Sequence, residues 1–307
     1  MIYENYNYNK GEDLNHCPIC KKVFKEGEHV SVINPAKGPF MIIHKTCYNH
    51  LDENSKLESN VSPKVEVLQD DDKLWRYMDL AKFISIMKNS TLYFSSPEGF
   101  SDIYEGAHGE LKNKQAWDDF YLSFARTSII TAPDNCWHKI EPKKLEENSK
   151  RLVKEISSTW KNGIYINCWY HSEFESEAMW KMYSTNVENA IAIQTSYISL
   201  KKELGENITI KPIHYIDYSK QFVGPNEVFW CKRKSFEYEK EVRAIVHDFR
   251  NPQNAGIEIR VDLNKMIENV YISPYSPKWF QEIVVDLIAR YGYTFNVHES
   301  SMSEIPF

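Results

Sequence analysis

Apolar residues recur along this chain with two different periods, and the period changes with position. LWRYM, from Leu74, reads as a short strand, and Leu80, Phe83, Ile84 and Met87 then fall three or four apart, as on one helix face. Asp79 stands where a helix cap is expected, and Asn89-Ser90 where the helix should stop. TLYFSS follows as a strand, then the loop PEGFSDIYEG, whose mixture of turn residues and aromatics is unusual for a mere connector. From Leu111 to Gly163 the pattern is mainly helical, with Leu145, Leu152 and Ile156 along one face of a charged segment and Gly163 as its stop. Beyond that point the pattern becomes that of strands. IYINCWY, NAIAIQTS, IKPIHYID, EVRAIV, IEIRVD and NVYISP all read as such, with SEAMWKMYS a short helix between the first two. A last helix is predicted from Ser276-Pro277, burying Phe280, Ile283, Val284, Leu287 and Ile288, and Gly292 ends it before the strand YTFNVHES. Strands gathered late and helices early predict an α+β fold, not a doubly wound parallel sheet.

The first fifth of the chain follows another logic. Cys17-Pro18-Ile19-Cys20 and His44-Lys45-Thr46-Cys47 form two ligand pairs, each separated by two residues, with the hairpin KEGEHVSVI between them. Four such donors can close tetrahedrally on a zinc ion and leave no open position, so the expected role is structural or in recognition. A segment this short cannot bury enough apolar surface to fold by itself, and the metal would supply the difference. The spacing is similar to that of treble-clef and ribbon-type zinc fingers. His16, His29 and His50 compete for the fourth position, and a His-Asn-His nuclease reading would use His44, Asn49 and His50. His44 cannot, however, be both a closed-site ligand and a general base. The expected organisation is a zinc-binding module over 1–51, a polar and acidic linker over 52–73, and a main domain over 74–307.

Composition narrows the function classes. The net charge is −6, so no global basic field draws in nucleic acid, and Lys232-Arg233-Lys234, the local basic run, reads as a solvated helix face. Aromatic residues make up 14%, enough for an aromatic core or a lined groove. No apolar stretch is long enough to span a bilayer, and MIYENYNYNK lacks a signal-peptide core, so a cytoplasmic protein without membrane contact is expected. Thiols stay reduced there, which makes the six cysteines ligands, core residues or nucleophiles before disulfides.

Dinucleotide, P-loop, nucleophile-elbow and zincin signatures are all absent from the main domain. What it does carry is Arg76 on the first strand, Ser95 and Ser96 ending the second, and Glu239-Lys240-Glu241 opening a later one. Their order resembles the Arg…Ser…Glu-x-Glu layout of toxin-like ADP-ribosyltransferases. Arg76-Tyr77, the F-x-D-x-x-E-G run from Phe100 to Gly106, a Cys–Ser segment leading into M-W-x-x-Y (Cys168 to Tyr183), and Y-E-x-E-x-R from Tyr238 to Arg243 also resemble a widespread bacterial family of unknown function often found near defence genes. The resemblance to the transferases implies a mixed β core with flanking helices and an enzyme that splits NAD and transfers ADP-ribose. In that reading Glu241 is the carboxylate that meets the ribose, and Glu239, on the same strand face by alternation, orients or deprotonates the acceptor. Arg76 would hold the pyrophosphate, Ser95 or Ser96 would position Glu241, and Tyr77, Tyr93 or Phe100 would stack on nicotinamide. A macromolecular acceptor, nucleic acid and mRNA included, and a cognate antitoxin are implied by the same analogy. Two other readings stay open: a metal-dependent nuclease or hydrolase around Asp102, Glu105 and the two late glutamates, and a non-enzymatic zinc-finger binding module. Cys168 near His171, and Met179, Trp180 and Tyr183, read as core.

Overall fold

The computed structural model describes residues 3–7, 17, 20, 22–25, 29–33, 41–44, 46–47, 67–130, 141–159, 162–219, 223–250, 252, 254–304 and 306–307. His16, Asn49, His50 and linker residues 52–66 lie outside the described residues. The chain divides into two compact units, one of residues 1–65, 106–160 and 216–229, the other of 66–105, 161–215 and 230–307.

In the first unit, Tyr3–Asn7, His29–Ile33 and Met41–His44 form a small antiparallel sheet with Val30 opposite His44. Two helices follow, Lys114–Ile130 and Pro142–Thr159, joined by an ion pair between Arg126 and Glu146. Trp117 lies between the rings of His108 and Tyr121, with centroids at 4.4 and 4.3 Å.

The second unit is built on nine strands: β1 (Lys73–Asp79), β2 (Thr91–Ser95), β3 (Ile164–His171), β4 (Ala190–Ser196), β5 (Thr209–Pro212), β6 (Glu241–His247), β7 (Gly256–Arg260), β8 (Asn269–Ile272) and β9 (Asn296–Glu299). β8 and β9 pair in parallel and the other ladders are antiparallel, so the sheet is mixed and the fold α+β. Alternation sorts the residues of β1. Leu74 and Met78 join the main core with Phe83, Leu200, Phe280 and Val284, while Trp75 and Tyr77 join an aromatic cluster on the other face with Met179 and Trp180. β4 is buried along its whole length, as its continuous AIAIQTS run requires. Burying each such aromatic or aliphatic side chain contributes about 1.5–3 kcal/mol against the entropy of ordering the chain.

Helix Leu80–Asn89 buries Phe83, Ile86 and Met87 and stops at Ser90, which takes a left-handed conformation (φ 51°). Asp79 does not cap it: its carboxylate accepts instead from the backbone N–H (2.8 Å) and hydroxyl (2.7 Å) of Thr185. The last helix runs Lys278–Arg290 with Pro277 as its N-cap, and the Ser276 hydroxyl donates to the Glu188 carbonyl. That helix buries Phe280, Val284 and Ile288 but leaves Ile283 exposed, because a stripe of three buried positions is all its packing face admits. Helix Tyr197–Leu204, which the apolar pattern does not announce, is started by Ser196, whose hydroxyl accepts from Ser199 N–H.

Candidate active site at a fork in the sheet

β3 organises the site. Along one edge it pairs with β6 over its full length, Ile164 opposite His247 through Tyr170 opposite Glu241. Its other edge is shared. β1 pairs at one end, through Leu74–His171 and Trp75–Tyr170, and β2 at the other, through Ser95–Ile166. The sheet therefore forks, and between the two arms residues 167–169 have no strand beside them among the described residues. Asn167 spans part of the gap by donating from Nδ2 to the Tyr93 carbonyl at 2.8 Å. A cavity of about 510 Å³ opens at the fork, lined by Arg76 and Tyr77 from β1, Tyr93 and Ser95 from β2, Cys168 and Trp169 from β3, and by Phe100, Tyr183, Glu239 and Glu241.

The lining of this cavity carries both signs of charge, Arg76 and Lys82 against Glu239, Glu241 and Glu258. Arg76 lies on the main-core side of β1, its guanidinium 6.0 Å from the centre of the Trp169 ring. No carboxylate pairs with it among the described residues, and its buried Nη1 has no hydrogen-bond partner there. Burial lowers its pKa to about 10, so it stays charged at neutral pH. A half-buried cation with a buried, unpaired donor is costly unless a ligand supplies the anion.

Around Glu241 the balance is reversed. Among the described residues the cations paired with Glu105, Glu239 and Glu241 are Lys232 and Arg243, and all five are buried. Arg243 Nε donates to Glu241 Oε1 at 2.7 Å, and Lys232 Nζ reaches Oε2 at 3.2 Å. Burial pushes the Glu241 carboxyl upward, but Arg243 and then Lys232 overcome it and hold the pKa down to about 2. Glu241 is thus a fixed anion at every physiological pH. Glu239 goes the other way: burial raises it despite its bond to Lys232.

Several expectations change against this geometry. Glu239 and Glu241 do not share a strand face by alternation. Glu239 ends a 3-10 turn (Lys234–Glu239), Lys240 takes a left-handed conformation (φ 38°), and only then does β6 begin. The two carboxylates converge on Lys232 Nζ instead. Neither serine is bonded to Glu241: the Ser95 hydroxyl donates to the Ser96 carbonyl at 3.0 Å, and the Ser96 hydroxyl accepts from Glu98 N–H. Ser95 does line the cavity; Ser96 does not. Phe100 lies 5.6 Å beneath the Arg243 guanidinium, and the Tyr77 hydroxyl accepts from Ser176 N–H at 3.0 Å while its ring meets Trp180 edge-on at 4.8 Å.

The basic run is not a solvated face. Lys232 and Arg233 lie on a three-residue strand, Cys231–Arg233; Lys232 is buried among the carboxylates and Arg233 bonds Asp102 at 2.6 Å. Nothing in the sequence marks Lys232 except its distance of seven and nine residues from the two glutamates. Asp102 and Glu105, considered as metal ligands or caps, are each tied to an arginine, Arg233 and Arg243. The thiol of Cys168 is pushed well up by burial and then by Glu241, which makes it an inert neutral group on the cavity wall.

The Cys/His motif does converge. The ligand atoms of Cys17, Cys20, His44 and Cys47 lie within 4.8 Å of one another, with Cys20 Sγ 3.2 Å from His44 Nδ1. Tetrahedral zinc bonds of about 2.0–2.3 Å need ligand atoms about 3.3–3.8 Å apart, so three sulfurs and one imidazole suit a structural zinc ion once they draw in by about 1 Å. Cys17 and His44 are buried, and a Cys17 N–H bond to the Lys22 carbonyl (2.9 Å) closes the knuckle that presents the first pair. Among the described residues no helix is long and apolar enough to cross a membrane.

No family model matches the chain, and no curated protein does. Among solved structures it is similar to Thermus sp. 2.9 DarT in complex with NAD+, at 8% identity and a TM-score of 0.38, covering 78% of this chain and 100% of that one. It is likewise similar to Thermus sp. 2.9 DarT in complex with ADP-ribosylated ssDNA, at 9% identity and a TM-score of 0.36, with the same coverage. Scores this low describe a loose likeness in the path of the chain and no more.

Proposed function

We propose that this protein is an NAD-dependent ADP-ribosyltransferase whose donor site is the cavity at the fork. One observation carries the reading: the wall of one cleft brings together a half-buried arginine, whose Nη1 is buried without a partner among the described residues, and a buried carboxylate-rich cluster. Such a cleft suits a ligand that is anionic in one part and cationic, or becoming cationic, in another. NAD+ has that form, with a pyrophosphate for Arg76 and a pyridinium beside the ribose that Glu241 would face. Breaking the nicotinamide–ribose bond builds positive charge on the ribose, and a carboxylate already fixed and ionised stabilises that transition state more than the ground state. Tyr93, half exposed on the cavity wall, offers a face for a flat ring. Glu239, with its raised pKa, suits exchange of a proton with the acceptor.

The acceptor we propose is macromolecular, with nucleic acid, RNA included, as the class to test first. A cognate antitoxin and a defence role belong to the same proposal, as does the division into a module over 1–51, a linker and a transferase domain. In the first of these Cys17, Cys20, His44 and Cys47 would hold zinc, whose contribution is to fasten the fold. The hydrolase reading is less favoured because Asp102, Glu105, Glu239 and Glu241 are each engaged by a basic side chain, and among the described residues the group that could hold a metal is the Cys/His set instead.

The test is nicotinamide release from NAD+. Glu241→Gln is nearly isosteric but uncharged, and should lower the rate by about 10²–10³-fold while the folded variant still binds NAD+. NAD+ should raise the melting temperature more than NADH, which lacks the pyridinium charge. A folded Glu241→Gln protein that releases nicotinamide at the wild-type rate would remove Glu241 from the chemistry.

A further inference from the structure

Neither serine reaches Glu241, yet that carboxylate is held at both oxygens. Arg243 supplies Nε to Oε1 at 2.7 Å and Nη2 to Oε2 at 3.3 Å, and Lys232 adds Nζ at 3.2 Å from Oε2. Arg243 is itself gripped from behind, its Nη1 donating to Glu105. Glu105 sits on the loop after β2, and a second acid of that loop, Asp102, is bonded by Arg233, the neighbour of Lys232. The loop is thus fastened to β6, which carries Glu241, and to the strand that carries Lys232, one arginine to each of these two acids.

We infer that Arg243 and Lys232 are the positioning residues of Glu241, and that the Asp102–Glu105 loop is the brace that keeps them aligned. The inference rests on the reading of Glu241 as the carboxylate that meets the ribose. A serine can orient a carboxylate, but it cannot keep one ionised where burial opposes charge; a planar guanidinium and a point charge do both. In this chain charge therefore does the work that a hydroxyl was expected to do. The groups that face Glu241 are Lys232 from strand Cys231–Arg233, Glu239 from the turn before β6, Arg243 on β6 itself, Glu105 from the brace, Cys168 from β3, and the phenols of Tyr183 and Tyr215. Only Lys232 and Arg243 among them carry positive charge, so their removal has a definite sign: Glu241 takes up its proton at higher pH.

The experiment uses the full chain with Lys232→Met and with Arg243→Gln. Where the latter does not fold, Arg243→Gln combined with Glu105→Gln keeps the buried charge balanced. Two readouts are needed: the pH profile of NAD+ cleavage, and infrared titration of Glu241, read as the difference between each protein and the same protein carrying Glu241→Gln. Wild type should show no protonation of Glu241 down to about pH 4, while each variant should move both the acid limb and the infrared titration up by about one pH unit or more, with KM for NAD+ little changed. Folded variants whose Glu241 titrates as in wild type would overturn the inference, because purely structural cations would leave it unmoved. A wild type that never cleaves NAD+ while the infrared shift appears would sink the transferase reading and leave the clamp standing.

Discussion

Arg76 shows best what a single residue contributes here. It lies in a core-facing position of β1 beside Trp169, charged and unmatched, and a protein gains no stability from such a group. Arg76→Met keeps much of the volume and removes the charge, so the melting temperature of the free protein should hold or rise by a few degrees, while the stabilisation by NAD+ disappears. A large drop in melting temperature would mean that Arg76 is structural. Glu241 has the opposite sign. Its pKa is depressed, so its contribution is present above the ordinary carboxylate range and is lost as pH falls from there toward about 2. Thermal melts of wild type and Glu241→Gln should therefore differ most near pH 7 and converge as the solution is acidified. Glu239, raised first by burial, works the other way, and because the charge of Glu241 also raises it, it shifts in the variant and is followed separately with Glu239→Gln as a control.

At the scale of elements, the arms of the fork depend on close approaches that only certain residues allow. Gly256 on β7 faces Ser95 on β2, and a β-carbon there would run into the Tyr93 ring and come within 2.6 Å of the Phe94 carbonyl. Gly256→Ala should push Tyr93 off its place on the cavity wall, costing about 1–3 kcal/mol in stability and weakening NAD+ more than fivefold, measurable by calorimetry. Much at this scale was legible in the sequence. Each of the nine strands overlaps a predicted apolar run because each run has a face to bury, although IKPIHYID breaks into Thr209–Pro212 and His214–Ile216, and Arg76, Glu239 and Glu241 line one cavity. What could not be read was long-range. The pairing of β3 with three strands leaves no local trace, and Lys232 looks like any surface lysine until a three-residue strand turns it inward. Glu239 was misplaced on the strand because period-two counting cannot foresee a left-handed Lys240.

For the whole molecule, the division into two units separates the metal question from the catalytic one. Every residue lining the forked cavity belongs to the second unit, whereas the four zinc donors belong to the first. Purified protein should carry about one zinc per chain, and a chelator or Cys17→Ser should open the first 51 residues to protease. NAD+ should still stabilise what remains, and loss of NAD+ binding together with zinc would show that the two are coupled. The fork has one more consequence, for the exchange of amide hydrogens with solvent. Residues 167–169 form the middle of a central strand, where amides are ordinarily among the slowest to exchange, yet along one of their edges no strand lies among the described residues. Deuterium should enter this stretch faster than it enters Val242–Ile245 on the neighbouring β6, which is paired on both edges. A ligand lodged in the gap would act as a stand-in strand, slowing that exchange and tying the two arms of the sheet together.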